Sequence, residues 1–318
     1  MTWHSYHIYY AANPRPLLLQ CVRPLVTSLD EDGVLAGYFF IRYWLEGPHI
    51  RLRLQSLAAD ADDVVRDRTE EAITGFLRRR PSLYGTPGEA AENVYNALFA
   101  LEFTAQERTR YLDANGRMRM RENNTFSREA YQPEYDKYGG PRGVELAEWH
   151  FRQSSDLVIE ATRTLNLHLR SVTLGFAAQL MMVMTSCFFP DEGELATFLA
   201  FYRDYWTAAT AGTEIAASGS SAGFARSYEA MAATLPGRFA GIRSAVGRGV
   251  TAELPGFLRR WADHCLELSE RAAGLTLPAP WLALPYLHMT SNRMGIGLID
   301  EAFLAYLLGR ALGLAVAA

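Results

Sequence analysis

Three short stretches concentrate side chains able to move protons or hold anions. In Gly47-Pro48-His49-Ile50-Arg51-Leu52-Arg53-Leu54, extended backbone would alternate the side chains, putting His49, Arg51 and Arg53 on one face and the aliphatic residues on the other. Two permanently charged, fork-shaped guanidiniums side by side suit a carboxylate-bearing group; the same pattern also describes a solvated strand face. In Tyr131-Gln132-Pro133-Glu134-Tyr135-Asp136-Lys137-Tyr138-Gly139-Gly140-Pro141, acids and a lysine precede a Gly-Gly-Pro turn. There Glu134 could act as a base or orient a cation and Lys137 could bind an anion, or both could be ordinary surface charges. The third stretch, His288-Met289-Thr290-Ser291-Asn292-Arg293, packs an imidazole, two hydroxyls, an amide and a guanidinium into six residues. Histidine titrates near neutrality and is the commonest acid or base in catalysis, although a histidine beside an apolar segment is often structural.

Other chemistries lack their signatures. There is no nucleophile elbow G-x-S-x-G, no H-E-x-x-H, no phosphate loop and no clustered metal-ligand spacing. Neither a metal nor a cofactor is expected. A net charge of −4 argues against general affinity for nucleic acid or anionic membranes. Cys21, Cys187 and Cys265 are odd in number and far apart, which fits a reducing cytoplasm better than a disulfide framework. The N-terminal residues lack the basic start and apolar run of a signal peptide.

The elements needed to position these residues follow from periodicity. Ser5–Tyr10 and Gly37–Leu54 are rich in aromatic and β-branched residues and predict strands, punctuated at Gly47-Pro48. Residues 16–29 have helical apolar spacing interrupted by Pro24, where a helix should end or kink. Residues 60–79 begin with acids and end with arginines, the charge order favoured by a helix dipole. Residues 111–120 could frame a hairpin. From Gly143 onward the pattern predicts mainly helices: 144–169, the uncharged run to Phe189, 192–206, 224–235, 257–273 and 299–314. The uncharged run Ser171–Pro190 approaches membrane-spanning length, but its polar residues favour a buried core helix. Residues 211–223 read as a glycine-rich loop. The fold class is therefore α+β, with early strands packed against a helix-rich second half, in one integrated domain over residues 1–318 (strand-rich 1–142, helix-rich 143–318).

The ordered combination of Trp3-His4-Ser5-Tyr6-His7-Ile8-Tyr9-Tyr10, Phe39-Phe40-Ile41-Arg42-Tyr43-Trp44 through Leu54, Pro133-Glu134-x-x-Lys137-Tyr138-Gly139-Gly140 and His288-Met289-x-x-Asn292-Arg293 resembles the C-terminal glutamate-elimination domain of lantibiotic dehydratases, which also occurs freestanding in thiopeptide biosynthesis. The resemblance spans nearly the whole chain. It implies a lyase that converts glutamylated Ser or Thr of a ribosomal precursor peptide into dehydroalanine or dehydrobutyrine. It also implies a separate glutamyl-tRNA-dependent enzyme that attaches the glutamate, no direct contact with nucleic acid or membrane, and room for a homodimer.

On this resemblance His288, Glu134 and Arg53 are catalytic candidates, while Arg51, Lys137, Asn292 and Arg293 are substrate-binding candidates. Whether Glu134 or His288 is the base stays open. Lys137 stands where many lantibiotic members carry arginine, which keeps the charge but loses the bidentate fork. A different reaction lies within the same resemblance: the thiopeptide pyridine synthases join two dehydroalanines by formal [4+2] cycloaddition and expel the leader peptide. A noncatalytic peptide-binding module is the third reading.

Overall fold

In the computed structural model, the described residues are 2–83, 95–96, 98–99, 103–211 and 221–314. The predicted loop at 211–223 lies mostly outside them. The chain divides into two compact units: residues 1–133 with 158–164, and residues 134–157 with 165–318.

The first unit is built on a four-stranded antiparallel sheet. Its strands are β1 (Trp3–Tyr9), β2 (Leu35–Tyr43), β3 (His49–Ser56) and β4 (Thr125–Glu129), in spatial order β2-β3-β1-β4. The aromatic and β-branched content that predicted the first three strands also fills the core. Ile8, Tyr6, Phe40, Leu52 and Leu54 are fully buried on one sheet face, against α1 (Arg23–Glu31) and α2 (Asp62–Arg79). Strand β4 was not predicted, because its polar sequence Thr-Phe-Ser-Arg-Glu forms a sheet edge where half the surface meets water. The expected hairpin is present as a single bridge, Leu112 to Met118, closed by Asp113 N–H to Arg117 O at 2.7 Å.

Pro24 does not end its helix. Leu18–Val22 forms a π-helical turn and Arg23–Glu31 restarts as an α-helix with the proline in its first turn. The irregularity expected at Pro24 takes the form of the π-helical turn just before it, where Arg23 N–H donates to the Leu18 carbonyl.

The second unit is helical. It includes most of α3 (Pro141–Thr164), then α4 (Arg170–Phe188), α5 (Glu192–Thr210), α6 (Ser221–Glu229), α7 (Leu235–Gly247), α8 (Gly256–Ala273), α9 (Ala279–Met294) and α10 (Leu298–Ala311). The uncharged helix α4 is long and apolar enough to cross a membrane, yet two-thirds of it is buried inside the protein, as expected for a core helix. Helix α9 escaped the periodicity reading because Pro280 and Pro285 interrupt it. Pro280 sits harmlessly in the first turn, whereas Pro285 is buried inside the helix.

A histidine pair lies at the centre of this unit. His150 Nδ1 is 2.9 Å from His264 Nε2, and His150 Nε2 is 3.4 Å from the Thr290 hydroxyl. Two ring nitrogens at that distance must share one proton, so at least one imidazole is neutral. Burial is the main cause that lowers both pKa values, His264 to about 4 and His150 well below its ordinary range.

Because the unfolded chain takes up these protons at about pH 6.5 and the folded chain resists them, the pair favours folding above that pH. Its contribution is lost as pH falls toward 4. The melting temperature should therefore drop between pH 6.5 and pH 4, and His264→Gln, which cannot take the proton, should flatten that drop. Calorimetry across the pH series checks this; an equal slope in the variant would contradict it.

Candidate active site

On the first unit, strand alternation places His49, Arg51 and Arg53 together on the sheet face opposite α2, as expected from the sequence. Arg51 lies across from His7 on β1 and Ile41 on β2, and Arg53 lies across from Ser5 and Phe39. Each guanidinium is held against rings. Arg51 sits 3.5 Å from the Tyr43 ring centroid, while Arg53 sits 4.6 Å from Tyr131 and 5.2 Å from Phe39.

The tautomer of His49 follows from its partners. The Gly47 carbonyl, 2.8 Å from Nδ1, can only accept, and Arg51 Nε–H, 3.3 Å from Nε2, can only donate. His49 is thus a neutral ring protonated on Nδ1, acting as an orienting strut for Arg51. Burial first, then the nearby arginines, push its pKa down to about 3. His7 stacks on His49 at 4.9 Å and is lowered to about 2 by burial, then Arg51. The cationic face therefore consists of fixed arginines with neutral imidazoles as spacers.

Beside it, the β2–β3 turn buries Glu46, whose carboxylate accepts from Arg119 and Arg121. His4 faces the other side of the sheet, as its spacing from His7 requires. Its Nε2 meets both Ser56 Oγ (2.8 Å) and Asp62 Oδ1 (3.4 Å). A hydrolytic relay needs serine and carboxylate on opposite ring nitrogens, so this group is not one.

The second unit carries the other candidates. Glu134 precedes a single helical turn, Tyr135–Tyr138, and Lys137 Nζ reaches back to Glu134 Oε1 at 3.3 Å. Both side chains are solvent-accessible. The glycines behind them serve the backbone. Gly139 and Gly140 have φ of +77° and +93°, and a Cβ on Gly143 would lie 1.6 Å from the Tyr138 carbonyl oxygen. Tyr138 is buried, stacking on Tyr286 at 6.0 Å and meeting Phe151 edge-on. The Tyr-Gly-Gly element therefore anchors the Glu134–Lys137 turn to α9, two residues before His288.

His288 has the geometry of a proton-transfer group. Its Nδ1 lies 2.9 Å from Glu301 Oε1, and the Tyr202 hydroxyl donates to Glu301 Oε2. Glu301 is almost fully buried (1% exposed), whereas the His288 side chain keeps 24% exposure. The carboxylate thus fixes one ring nitrogen from inside while the imidazole retains a solvent-facing portion. Trp206, one turn after Tyr202 on α5, packs on the His288 ring at 4.6 Å. Burial raises the pKa of Glu301, with His288 opposing that shift; burial and Glu301 together raise Tyr202.

Glu301, Tyr202 and Trp206 were not among the sequence candidates. Glu301 reads as a first-turn acid suited to a helix dipole, and the two aromatics read as the core stripe of an amphipathic helix. Only the approach of α10 to α5 turns them toward His288.

Arg293 corrects an expectation. Rather than contacting substrate, it is fully buried, with Nε donating to Ser155 Oγ (3.1 Å), Nη1 to the Met289 carbonyl (2.7 Å) and its plane over Phe151. Five residues from His288, it lies on the interior side of α9. Asn292, one turn after His288, is half-buried. The three cysteines are free thiols, and burial pushes Cys21 and Cys187 up to about 12, which suppresses the nucleophilic thiolate.

Residues 3–312 match the family described as lantibiotic biosynthesis dehydratase C-term. The chain belongs to this family. Members modify ribosomally synthesised peptides. No curated protein matches the sequence. Among solved structures, the fold is similar to the pyridine synthase TbtD from thiomuracin biosynthesis, with 20% identity, 98% of this chain and 97% of that chain covered, and a TM-score of 0.74. It is also similar to TsrL, with 18% identity, 98% and 94% coverage, and a TM-score of 0.63. A third likeness is to the tRNA-dependent lantibiotic dehydratase MibB from Microbispora sp. 107891, with 17% identity, 98% of this chain covered and a TM-score of 0.52. The match covers 28% of the MibB chain. At these identities the likenesses establish the fold alone.

Removing the Tyr202 hydroxyl while keeping its ring isolates the Glu301 contact. Tyr202→Phe should destabilise the protein by ~1–3 kcal/mol, the cost of leaving a buried acceptor short of a donor. Urea denaturation checks this; an unchanged midpoint would show that Glu301 is satisfied without Tyr202.

Proposed function

We propose that this protein removes glutamate from glutamylated Ser or Thr of a ribosomal precursor peptide, leaving a dehydroamino acid. In that β-elimination a base takes the α-proton, the Cα=Cβ bond forms as the Cβ–O bond breaks, and glutamate departs as a carboxylate. The hard step is loss of the α-proton, since the ester already supplies a good leaving group. The observation that carries the reading is the cationic sheet face, where Arg51 and Arg53 are held against rings as a receptor for a carboxylate-bearing leaving group.

His288, fixed through Nδ1 by Glu301, is assigned the proton transfer through its other nitrogen. Glu134 with Lys137 orients the glutamyl group or the peptide backbone, and Asn292 assists on the His288 side. A separate enzyme that glutamylates the peptide is required upstream.

A second reading is formal [4+2] cycloaddition of two dehydroalanines with expulsion of the leader peptide. The likeness to TbtD along the full length of both chains favours it, and fold comparison alone weighs more toward this reading than toward elimination. Arginine pairing and the Glu134–Lys137 turn are what favour elimination, because cycloaddition has no glutamate to hold.

Mass spectrometry separates the two. On a glutamylated peptide the wild-type protein should release glutamate and form the alkene; on a dehydrated, azole-containing peptide it should leave the mass unchanged. His288→Ala should let the glutamylated peptide accumulate, with turnover reduced on the order of 10²–10⁴-fold. Arg53→Lys should lower turnover less, keeping charge without the fork. Leader expulsion from the dehydrated peptide would instead establish the second reading, and full activity of His288→Ala would remove that residue from the mechanism.

A further inference from the structure

On the arginine face of the sheet, strand pairing sets Arg53 of β3 opposite Ser5 of β1, and Ser5 opposite Glu129 of β4. Residues directly opposite one another share a face. With neighbouring strands about 4.8 Å apart, the backbones of Arg53 and Glu129 lie roughly 10 Å from each other with Ser5 between them. A guanidinium, a hydroxyl and a carboxyl side chain therefore follow in one row across three strands, all within the first unit. At the Arg53 end, Trp3, Phe39 and Tyr131 pack on one another and wall the row with apolar surface.

The fold itself makes no use of the Ser5 hydroxyl. Ser5 is 4% exposed, and its Oγ has no hydrogen-bond partner. A buried hydroxyl normally finds one, because nothing else repays its lost hydration. Glu129 is exposed, and Ser127 donates to its Oε1 at 2.8 Å. Among the described residues no lysine or arginine forms an ion pair with Glu129. Other acids of this unit are matched: Glu46 with Arg119 and Arg121, and Glu70 with Arg128.

A glutamyl group esterified through its α-carboxyl, the linkage in which an aminoacyl-tRNA carries it, keeps a γ-carboxylate at one end and an α-ammonium near the ester. The row offers complementary groups in that order. We propose that Arg53, Ser5 and Glu129 together read the leaving group as an amino acid: the Arg53 guanidinium and the Ser5 hydroxyl share its carboxylate, and Glu129 holds its ammonium. Ser5 is then a binding residue that supplies a second donor beside the guanidinium. Glu129 is the residue that separates a glutamyl ester from an otherwise equal diacid ester lacking the amine. The identity of the ligand rests on the elimination reading, so the test measures binding apart from turnover.

The probes are L-glutamate α-methyl ester, monomethyl glutarate, which lacks the ammonium, and L-glutamine methyl ester, which lacks the carboxylate. In NMR titrations the wild-type protein should bind the glutamate ester about five-fold more tightly than monomethyl glutarate, the scale of an exposed ion pair, and the difference should vanish in 1 M salt. Glutamine methyl ester should bind more weakly than either. Glu129→Gln should abolish the preference for the amine while leaving glutarate affinity unchanged. Ser5→Ala should weaken both carboxylate ligands on the order of ten-fold. Ser5→Cys, which fills similar space with a poor donor, should do the same.

Because the Ser5 hydroxyl makes no bond in the folded protein, its removal should hold or raise the melting temperature, which separates binding from a structural role. Equal wild-type affinity for the ester and the glutarate, no binding of the ester, or unchanged affinity in Ser5→Ala would overturn the proposal. So would loss of affinity in both Ser5 variants together with a lower melting temperature. Binding as expected without glutamate release from a glutamylated peptide would refute the reaction and leave the receptor standing. Glutamate release with an unaltered KM in Ser5→Ala and Glu129→Gln would do the reverse.

Discussion

The Glu301 carboxylate is the constraint around which the helical unit is arranged. A carboxyl group with 1% exposure is tolerable only when its oxygens are hydrogen-bonded, and here each has a partner from a different helix: His288 on α9 and Tyr202 on α5. Three helices are thereby held to one geometry. The consequence for chemistry is direct, because the imidazole's orientation is set from the buried side and its remaining reactivity is directed outward.

The sheet unit solves a comparable problem with charges of the other sign. Arg51 and Arg53 already carry like charges, and protonated histidine neighbours would add to that repulsion. Burial keeps His7 and His49 neutral, and the neutral His49 ring then becomes an acceptor for Arg51. Aromatic faces on Tyr43 and Tyr131 hold the guanidiniums in place without cancelling their charge. A face built this way can meet a carboxylate with little reorganisation.

Several residues in and beside the sequence motifs prove to be architectural. Gly139, Gly140 and Gly143 allow the chain to turn sharply past Tyr138, which is itself locked between Phe151 and Tyr286. The buried Arg293 ties α9 to Ser155 on α3. These residues hold the Glu134–Lys137 turn and His288 on the same framework.

Much was legible in the sequence. Period-two alternation determined the shared face of His49, Arg51 and Arg53, and the opposite facing of His4 and His7, since neighbouring side chains on a strand must alternate whatever packs around them. Charge order marked α2, and the absence of charge marked α4 as interior. Local rules miscarried where a local cost was met elsewhere: Pro285 inside a helix, and the polar edge strand β4. The partners of His288 were decided only by tertiary structure. Glu301 and Tyr202 are thirteen and eighty-six residues away, and the same helical pattern that places them on a buried face would suit any packing partner. Which carboxylate meets which imidazole depends on how α5, α9 and α10 pack, and that is set by the sum of many apolar contacts rather than by any local signal.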